Sequence, residues 1–511
     1  MSEDVSEIHR SARENRLKPN ALGLTSVVFM VVATAAPITA ITSNMPIMVG
    51  LGTGVGTPAG FLLATVTLSI FSVGFVAIAR HVTSAGAFYG FISRGLGRIV
   101  GLGSGLLTTA SYMMFEVTLV ALFGVFTKET MAAELGVDLP WWVYTFTLIA
   151  VIAVLTYFEI ELTAKVLGIA LAAEVLILAA IALAVLANGG GPEGISAAPL
   201  SPAEAFAGPS VGLGLFFAFW CWMGFESTAL YGEESKNPRR TVPVATFIVV
   251  IGVGLFYAFV SWMIMSGNGI EQTAALAASD SPFETVFAPT REFLGEWAVL
   301  IFRWLLLTGT FACAMAFHNC ASRYLYALGR ERILPGVLGR THPRYGSPWV
   351  ASIVQSAFVV IVTLCYWSSG LDPYVGQYTL SALLGTMGII VVQALCSLAV
   401  TAYFWRNPDK RPHFLVWVVA PILGALAMIG AVLLLVLNMD AAAGGPAAST
   451  LLFRLIPWIV GAVFIAGCVL AVWLRKSAPQ RYELIGHLDV VAPGGVENGP
   501  EGTKSFPAAM N

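Results

Sequence analysis

Charged residues are scarce in this chain. Asp, Glu, Lys and Arg make up 11% of its 511 residues and hydrophobic types 57%, whereas soluble domains carry about a quarter charged residues. With a mean hydropathy of +0.80, a soluble domain of this length would have to build its surface from apolar side chains. Soluble, fibrous and disordered classes are therefore disfavoured. A net charge of -2 gives no basic field for nucleic acid. Cysteine is sparse too: Cys221, Cys313, Cys320, Cys365, Cys396 and Cys468 all fall in apolar stretches and make no CxxC pair. They read as small buried hydrophobes, and neither a metal nor a cofactor is expected. There is no Walker A motif and no repeated channel-filter segment, which disfavours an ATP-driven pump and a channel. The polar first twenty residues carry Arg10, Arg13, Arg16 and Lys18, and the apolar run after them is too long for a cleavable signal peptide.

What the chain does have is long apolar runs. Twelve spans can be drawn, at 22–48, 57–79, 97–126, 141–158, 163–187, 211–232, 242–266, 295–328, 348–367, 377–404, 413–437 and 452–474. Each reaches or approaches the roughly 20 residues a helix needs to cross hydrocarbon. Lipid leaves no partner for unpaired backbone, so the runs must be helices, and they are too long for barrel strands. The expected fold is an all-α polytopic membrane protein with 12 transmembrane helices. Basic residues fall in alternate loops: Arg80, Arg94 and Arg98; Lys236, Arg239 and Arg240; Arg330, Arg332, Arg340 and Arg344; Arg406, Lys410 and Arg411; Arg475, Lys476 and Arg481. Segments 188–210, 267–290, 368–376 and 438–450 have no Lys or Arg, and Lys128 is the main exception. This pattern predicts a multi-pass protein of the inner (plasma) membrane with both termini cytoplasmic. The segment 188–210 reads as an external loop, and the tail from about 482 reads as mobile.

Two spans contain breaks. The first holds "VVATAAPITAITSNMP", with Pro37 near its middle and Pro46 near its end. A mid-helix proline removes one backbone donor and frees a carbonyl; its bland reading is a kink, its functional one a cavity-lining break. The sixth holds "FWCWMGFESTALYGEESKNPRR", where Gly224 precedes Phe225 and the intramembrane carboxylate Glu226. Glu226 is either a transport residue or a structural one paired with a backbone donor. Trp220, Trp222 and Phe225 either wall a pocket or pack against lipid. Interruptions at matching positions point to two inverted five-helix halves with the substrate between them. The chain then divides into a tail at 1–21, halves at 22–187 and 211–404, two further helices within 413–474, and a cytoplasmic tail at 475–511. Half-helix ends offer N–H groups to an anion and C=O groups to a cation, which suits a zwitterion. Four other in-span groups stand out. Glu174, between "VLGIALAA" and "VLILAA", is a candidate proton carrier; Glu116 and Arg303 are a candidate ion pair; His318 is either a titrating or a packing histidine.

The segment "FFAFWCWMGFESTALYGEESKNPRRTVPVA" resembles the amino acid–polyamine–organocation superfamily. Its bacterial amino acid permeases carry aromatic–Gly–Phe–Glu followed by Glu-Glu-x-Lys-Asn-Pro-x-Arg-x-x-Pro, here Gly224, Phe225 and Glu226, then Glu233, Glu234, Lys236, Asn237, Pro238, Arg240 and Pro243. Two further segments are similar to the family: "NCASRYLYALGRERILPGVLGRTHPRYGSP" from Asn319 to Pro348, and "SAGAFYGFISRGLG" at 84–97. With the span count, the resemblance covers about residues 15–475. It implies the five-plus-five inverted-repeat fold of the sodium-coupled leucine transporter class with two added C-terminal helices. It also implies a substrate site at Ala35, Ala36, Pro37, Ile38, Thr39, Trp222, Met223, Gly224, Phe225 and Glu226. In related antiporters the glutamate matching Glu226 is thought to sense protons, and several proton-coupled relatives carry a fifth-helix lysine where this chain has Glu174. A carboxylate cannot mimic a sodium ion as an ammonium does, so Glu174 would bind a cation, donate a proton or meet an amine. The first break also departs from the family: "AAPIT" stands where relatives are glycine-rich.

These readings predict a transporter, not an enzyme: a secondary active symporter that imports amino acids with a proton by alternating access. Glu174, Glu226, Glu116 and His318 are the proton-coupling candidates. The expected partners are a small-molecule substrate, a proton and the bilayer, with no nucleic acid, for a monomer or weak homodimer. Amine or polyamine uptake, or amino acid/amine exchange, is the alternative, and a membrane sensor is the non-transport one.

Overall fold

The computed structural model of the chain describes residues 22–82, 87–158, 161–231, 235–437 and 450–486, with backbone alone for 161–167. The expectations for the N-terminal tail, for Glu233 and Glu234, for positions 84–86, for the loop 438–449 and for the tail beyond 486 lie outside the described residues.

The chain runs through helices α1 (Leu24–Ala35), α2 (Pro37–Leu51), α3 (Thr57–Ala79), α4 (Phe88–Leu96), α5 (Arg98–Leu135), α6 (Trp141–Phe158), α7 (Glu161–Ala187), α8 (Pro202–Ala207), α9 (Val211–Trp220) and α10 (Ser227–Leu230). It continues through α11 (Pro238–Phe247), α12 (Gly254–Asn268), α13 (Ile270–Ala277), α14 (Glu284–Leu294), α15 (Glu296–Arg330), α16 (Trp349–Ser369), α17 (Thr379–Arg406), α18 (Ala420–Leu437), α19 (Leu451–Ser477) and α20 (Pro479–Leu484). Among the described residues, eleven helical stretches are long and apolar enough to cross a membrane. The region expected as a sixth span is instead broken after α9, a shorter apolar helix of 10 residues. Ile169, Leu437 and Trp458 are each about three-quarters exposed, an arrangement that suits a lipid surround and not water.

Several helices have Pro in the first turn, and Ser210 and Thr450 cap two others. Pro37, Pro58, Pro238 and Pro479 begin helices, where a missing N–H costs nothing. Asp372 accepts the N–H groups of Tyr374 and Val375 at 2.9 and 2.8 Å and so starts the turn that leads into α17. The Lys-Asn-Pro motif has a local task as well. Pro238 begins α11, while the Lys236 N–H donates to the Leu22 carbonyl at 2.9 Å, tying this segment to the start of α1.

At one end of the bundle the chain beyond α19 is held. Leu484, Ile485 and Gly486 are buried, and Ile485 packs with Leu102, Leu328 and Leu474. The expectation of a mobile tail from 482 is therefore corrected for 482–486: their apolar side chains have a seat. The Gly486 N–H donates to Tyr89 Oη at 2.9 Å and to Glu331 Oε2 at 3.3 Å, and Tyr89 donates to the same carboxylate. Burial raises the Glu331 carboxyl to about 7; bonding to Tyr89 and Gly486 and the neighbouring Arg330 oppose the rise. A folded value above the ordinary 4.5 means that the docked state binds the extra proton, so docking is strongest at low pH and weakens as pH rises towards and through 7. Hydrogen exchange, corrected for its intrinsic pH dependence, should show protection of 479–486 falling over that interval, and Glu331→Gln should flatten the fall.

The cysteine expectation holds for Cys221, Cys313, Cys320 and Cys396, which are buried. Cys468 is half-buried and Cys365 exposed, because an apolar helix can also turn such a residue outward.

Candidate functional site

Pro37 shapes the first break. A proline disfavours the right-handed helical conformation in the residue before it. α1 accordingly stops at Ala35, Ala36 lies in the left-handed region (φ 38°, ψ 73°), and Pro37 starts α2. Pro46 lies inside α2 without ending it. The second break follows α9. Short-range turns run from Cys221 to Glu226 before α10 begins. Gly224 has φ 101°, a value open to glycine but rarely to other residues.

The two breaks meet. A side chain added at Gly224 would lie 2.5 Å from Thr34 Oγ1, so only glycine allows this approach. The carbonyls freed by the breaks find partners. The Tyr257 hydroxyl of α12 donates to the Ala35 carbonyl at 2.7 Å and, at a longer 3.4 Å, to the Cys221 carbonyl. The Cys313 thiol donates to the Thr34 carbonyl at 3.2 Å.

Between the breaks lies a cavity of about 20 Å³, room for roughly one water molecule. Ala35, Ala36, Thr39, Ser43 and Asn44 line one side; Trp220, Phe317 and Tyr378 face it. The Trp220 and Phe317 rings stack 5.8 Å apart, with Phe115 behind them at 4.7 and 5.0 Å. Tyr378 Oη lies 2.9 Å from Ser43 Oγ, accepts the Trp220 indole N–H at 3.2 Å and donates to Asn44 Oδ1. Thr39 and Thr310 hydroxyls are 3.1 Å apart. Among the described residues, no charged side chain lines this cavity.

The expected site residues are distributed around it. Ala35, Ala36 and Thr39 line the cavity. Pro37 and Ile38 are buried at the start of α2. Trp222 turns away, packing near Phe61 and Tyr257 and donating its indole N–H to the Val250 carbonyl at 3.1 Å. Met223 and Phe225 are buried, with Phe225 edge-on to Phe71 and Phe75. Glu226 is fully buried; it accepts Tyr112 Oη–H at 2.9 Å and the Gly224 N–H at 3.2 Å. Glu174 of α7 lies against Gly309, and the Ile38 N–H is directed at its carboxylate. It thus sits one residue behind each member of the Thr39–Thr310 pair. Ser43, Asn44, Thr310 and Tyr378 escaped the sequence reading. The signal for one of them was present: Ser43 lies four residues after the expected Thr39 in a largely apolar helix, hence on the same face.

The candidate Glu116–Arg303 pair is not formed. Arg303 bonds Glu134 at 2.6 Å, and Glu116 bonds His318 Nδ1 at 2.9 Å. The Gln355 amide donates to Glu116 at 2.7 Å, and His318 Nε2 lies 2.8 Å from Ser352 Oγ. Every member is buried. Truncating one member of such a pair leaves its partners unsatisfied and typically costs about 3–5 kcal/mol. Glu116→Leu should therefore lower the thermal unfolding midpoint in detergent clearly; an unchanged midpoint would remove the pair from the stabilising core.

The amino acid permease family model matches residues 22–465. Among curated proteins, the chain is 23% identical over 237 residues to the branched-chain amino acid permease BcaP of Bacillus subtilis (strain 168), covering 44% of each chain. It is 24% identical over 219 residues to the methylthioribose transporter of the same organism, covering 42% of this chain and 43% of that one. It is also 24% identical over 221 residues to cationic amino acid transporter 5 of Arabidopsis thaliana, covering 42% and 34%. The chain thus aligns with less than half the length of these relatives. The family match runs through both helix breaks and the cavity between them: the chain belongs to the amino acid permease family, a family of membrane transporters and not of enzymes.

Proposed function

We propose that the protein imports amino acids across the plasma membrane as a proton-coupled secondary transporter working by alternating access. One observation carries the reading: two helices are interrupted at the same place, back to back through Gly224 and Thr34, with the buried carboxylates Glu226 and Glu174 adjoining the breaks. The half-helix ends suit the charged ends of an α-amino acid. The uncharged, aromatic-walled cavity favours a neutral side chain over a polyamine, which would call for lining carboxylates. The printed names of the relatives span branched-chain and cationic amino acids and methylthioribose, so the family alone leaves the substrate open.

In this reading the 211–232 region crosses the membrane in two pieces as the sixth of twelve spans, and 22–187 and 211–404 are inverted repeats followed by two helices. The distribution of Lys and Arg supports cytoplasmic termini. Substrate and proton enter an outward-open form, the broken helices move against α5, α15 and α17, and both are released inside. Glu174 and Glu226 hold the coupling proton, while the bonded Glu116–His318 pair braces the wall behind Phe115 and Phe317.

Purified protein in proteoliposomes tests this. An inward proton gradient, without sodium or internal substrate, should drive accumulation of a labelled neutral amino acid. Uptake only against internal substrate would overturn symport in favour of amino acid/amine exchange.

A further inference from the structure

A second and larger cavity lies at the end of α15. It measures about 690 Å³ and is walled by Arg330, Arg332, Arg340 and Arg481 together with turn residues 333–337 and Gly339. The four arginines come from three places: the last residue of α15, the turn after it with Arg340 beyond, and α20. Among the described residues, no carboxylate lines the space. Glu331, next in sequence to two of the arginines, is buried and bonded instead to Tyr89 and Gly486.

The guanidinium of Arg330 lies 5.4 Å over the Tyr326 ring. Arg332 holds a left-handed backbone, φ 55°, a conformation costly for a residue with a side chain. Arg340 and Arg481 are exposed and form no ion pair with any described residue. Arg98, stacked on Tyr482 at 5.6 Å, steadies the short helix that presents Arg481.

We propose that this cavity binds a phosphate-bearing anion, with Arg340 and Arg481 closing on it from two separate segments. Arg340 and Arg481 bring two like charges to one concave space, and an anion between them relieves their repulsion. The planar guanidinium fork matches phosphate oxygens. The cavity adjoins the end of a membrane-spanning helix, where the headgroup of an anionic lipid and free phosphate are both within reach.

The test uses the full chain purified in detergent. Binding is read by thermal shift and by native mass spectrometry with inorganic phosphate, with phosphatidylglycerol and with phosphatidylcholine. The comparison is wild type against Arg340→Gln/Arg481→Gln, with Arg475→Gln/Lys476→Gln as a control of equal charge loss outside the cavity. Wild type and control should bind about tenfold or more tightly than the cavity variant, from the loss of charged hydrogen bonds. A response to phosphatidylglycerol alone names the lipid as the source; one to phosphate as well names the free ion. Equal affinity in all three proteins, or no response of wild type to any phosphate-bearing probe beyond phosphatidylcholine, overturns the site. The two single variants serve the same comparison if the double one does not fold.

Discussion

Gly224→Ala should lower the initial rate of uptake by about tenfold or more, because the substitution adds both backbone strain and a steric clash at the point where the two breaks touch. The strain comes from φ 101°, which disfavours any residue with a Cβ. The clash comes from Thr34 Oγ1 at 2.5 Å from the added carbon. α1 must then retreat or the Cys221–Glu226 turns must rewind. Either movement disturbs the Gly224 N–H that bonds Glu226, so the variant should also show an altered pH profile. Gly252→Ala is the matched control. Gly252 has nothing within 4 Å of the added carbon, and its variant should transport like wild type. Rates per reconstituted protein decide the matter. Normal uptake by Gly224→Ala would mean that the shape of this break is not needed for transport.

Glu174→Gln should retain substrate binding and lose accumulation driven by a proton gradient. Glutamine keeps the size and one carbonyl acceptor for the Ile38 N–H but cannot exchange a proton. Its place behind Thr39 and Thr310 makes the effect on coupling larger than that on affinity. Counterflow, which needs no gradient, should survive in the variant. Gradient-driven accumulation at the wild-type level would remove Glu174 from the coupling role and leave Glu226 as the candidate.

Much of the helical layout was legible because hydrocarbon imposes one solution on a long apolar run. The stretch 141–158 is helical over the expected residues, and 163–187 gains only two at its start. Pro37 was legible as a break because its steric effect on Ala36 is local. The break after Trp220 was visible in Gly224 but not in its extent, since the turns from Cys221 to Glu226 contain residues that form ordinary helix elsewhere. Pairings were the least legible. Glu116 and His318 are 202 positions apart, and only the packing of α5 against α15 brings them together. Arg303 lies on the same helix as His318 yet reaches Glu134, more than four turns along α5 from Glu116. Tyr378 was hidden because its hydroxyl matters only once the turn before α17 is placed against α2. The burial of Ile485 depends on a seat shared by several distant helices.

Tyr257 has a mechanical consequence. Its single hydroxyl serves the severed ends of two different helices, Ala35 and Cys221. One proton cannot satisfy both carbonyls fully, so any shift that strengthens one bond loosens the other. In the proposed transport cycle the two stumps would act as the arms of a balance, with α12 as the fulcrum. A phenylalanine there would cut the link between the arms, and the signature of that cut would be leak: substrate slipping downhill without its driving ion, as one arm swings while the other stays still.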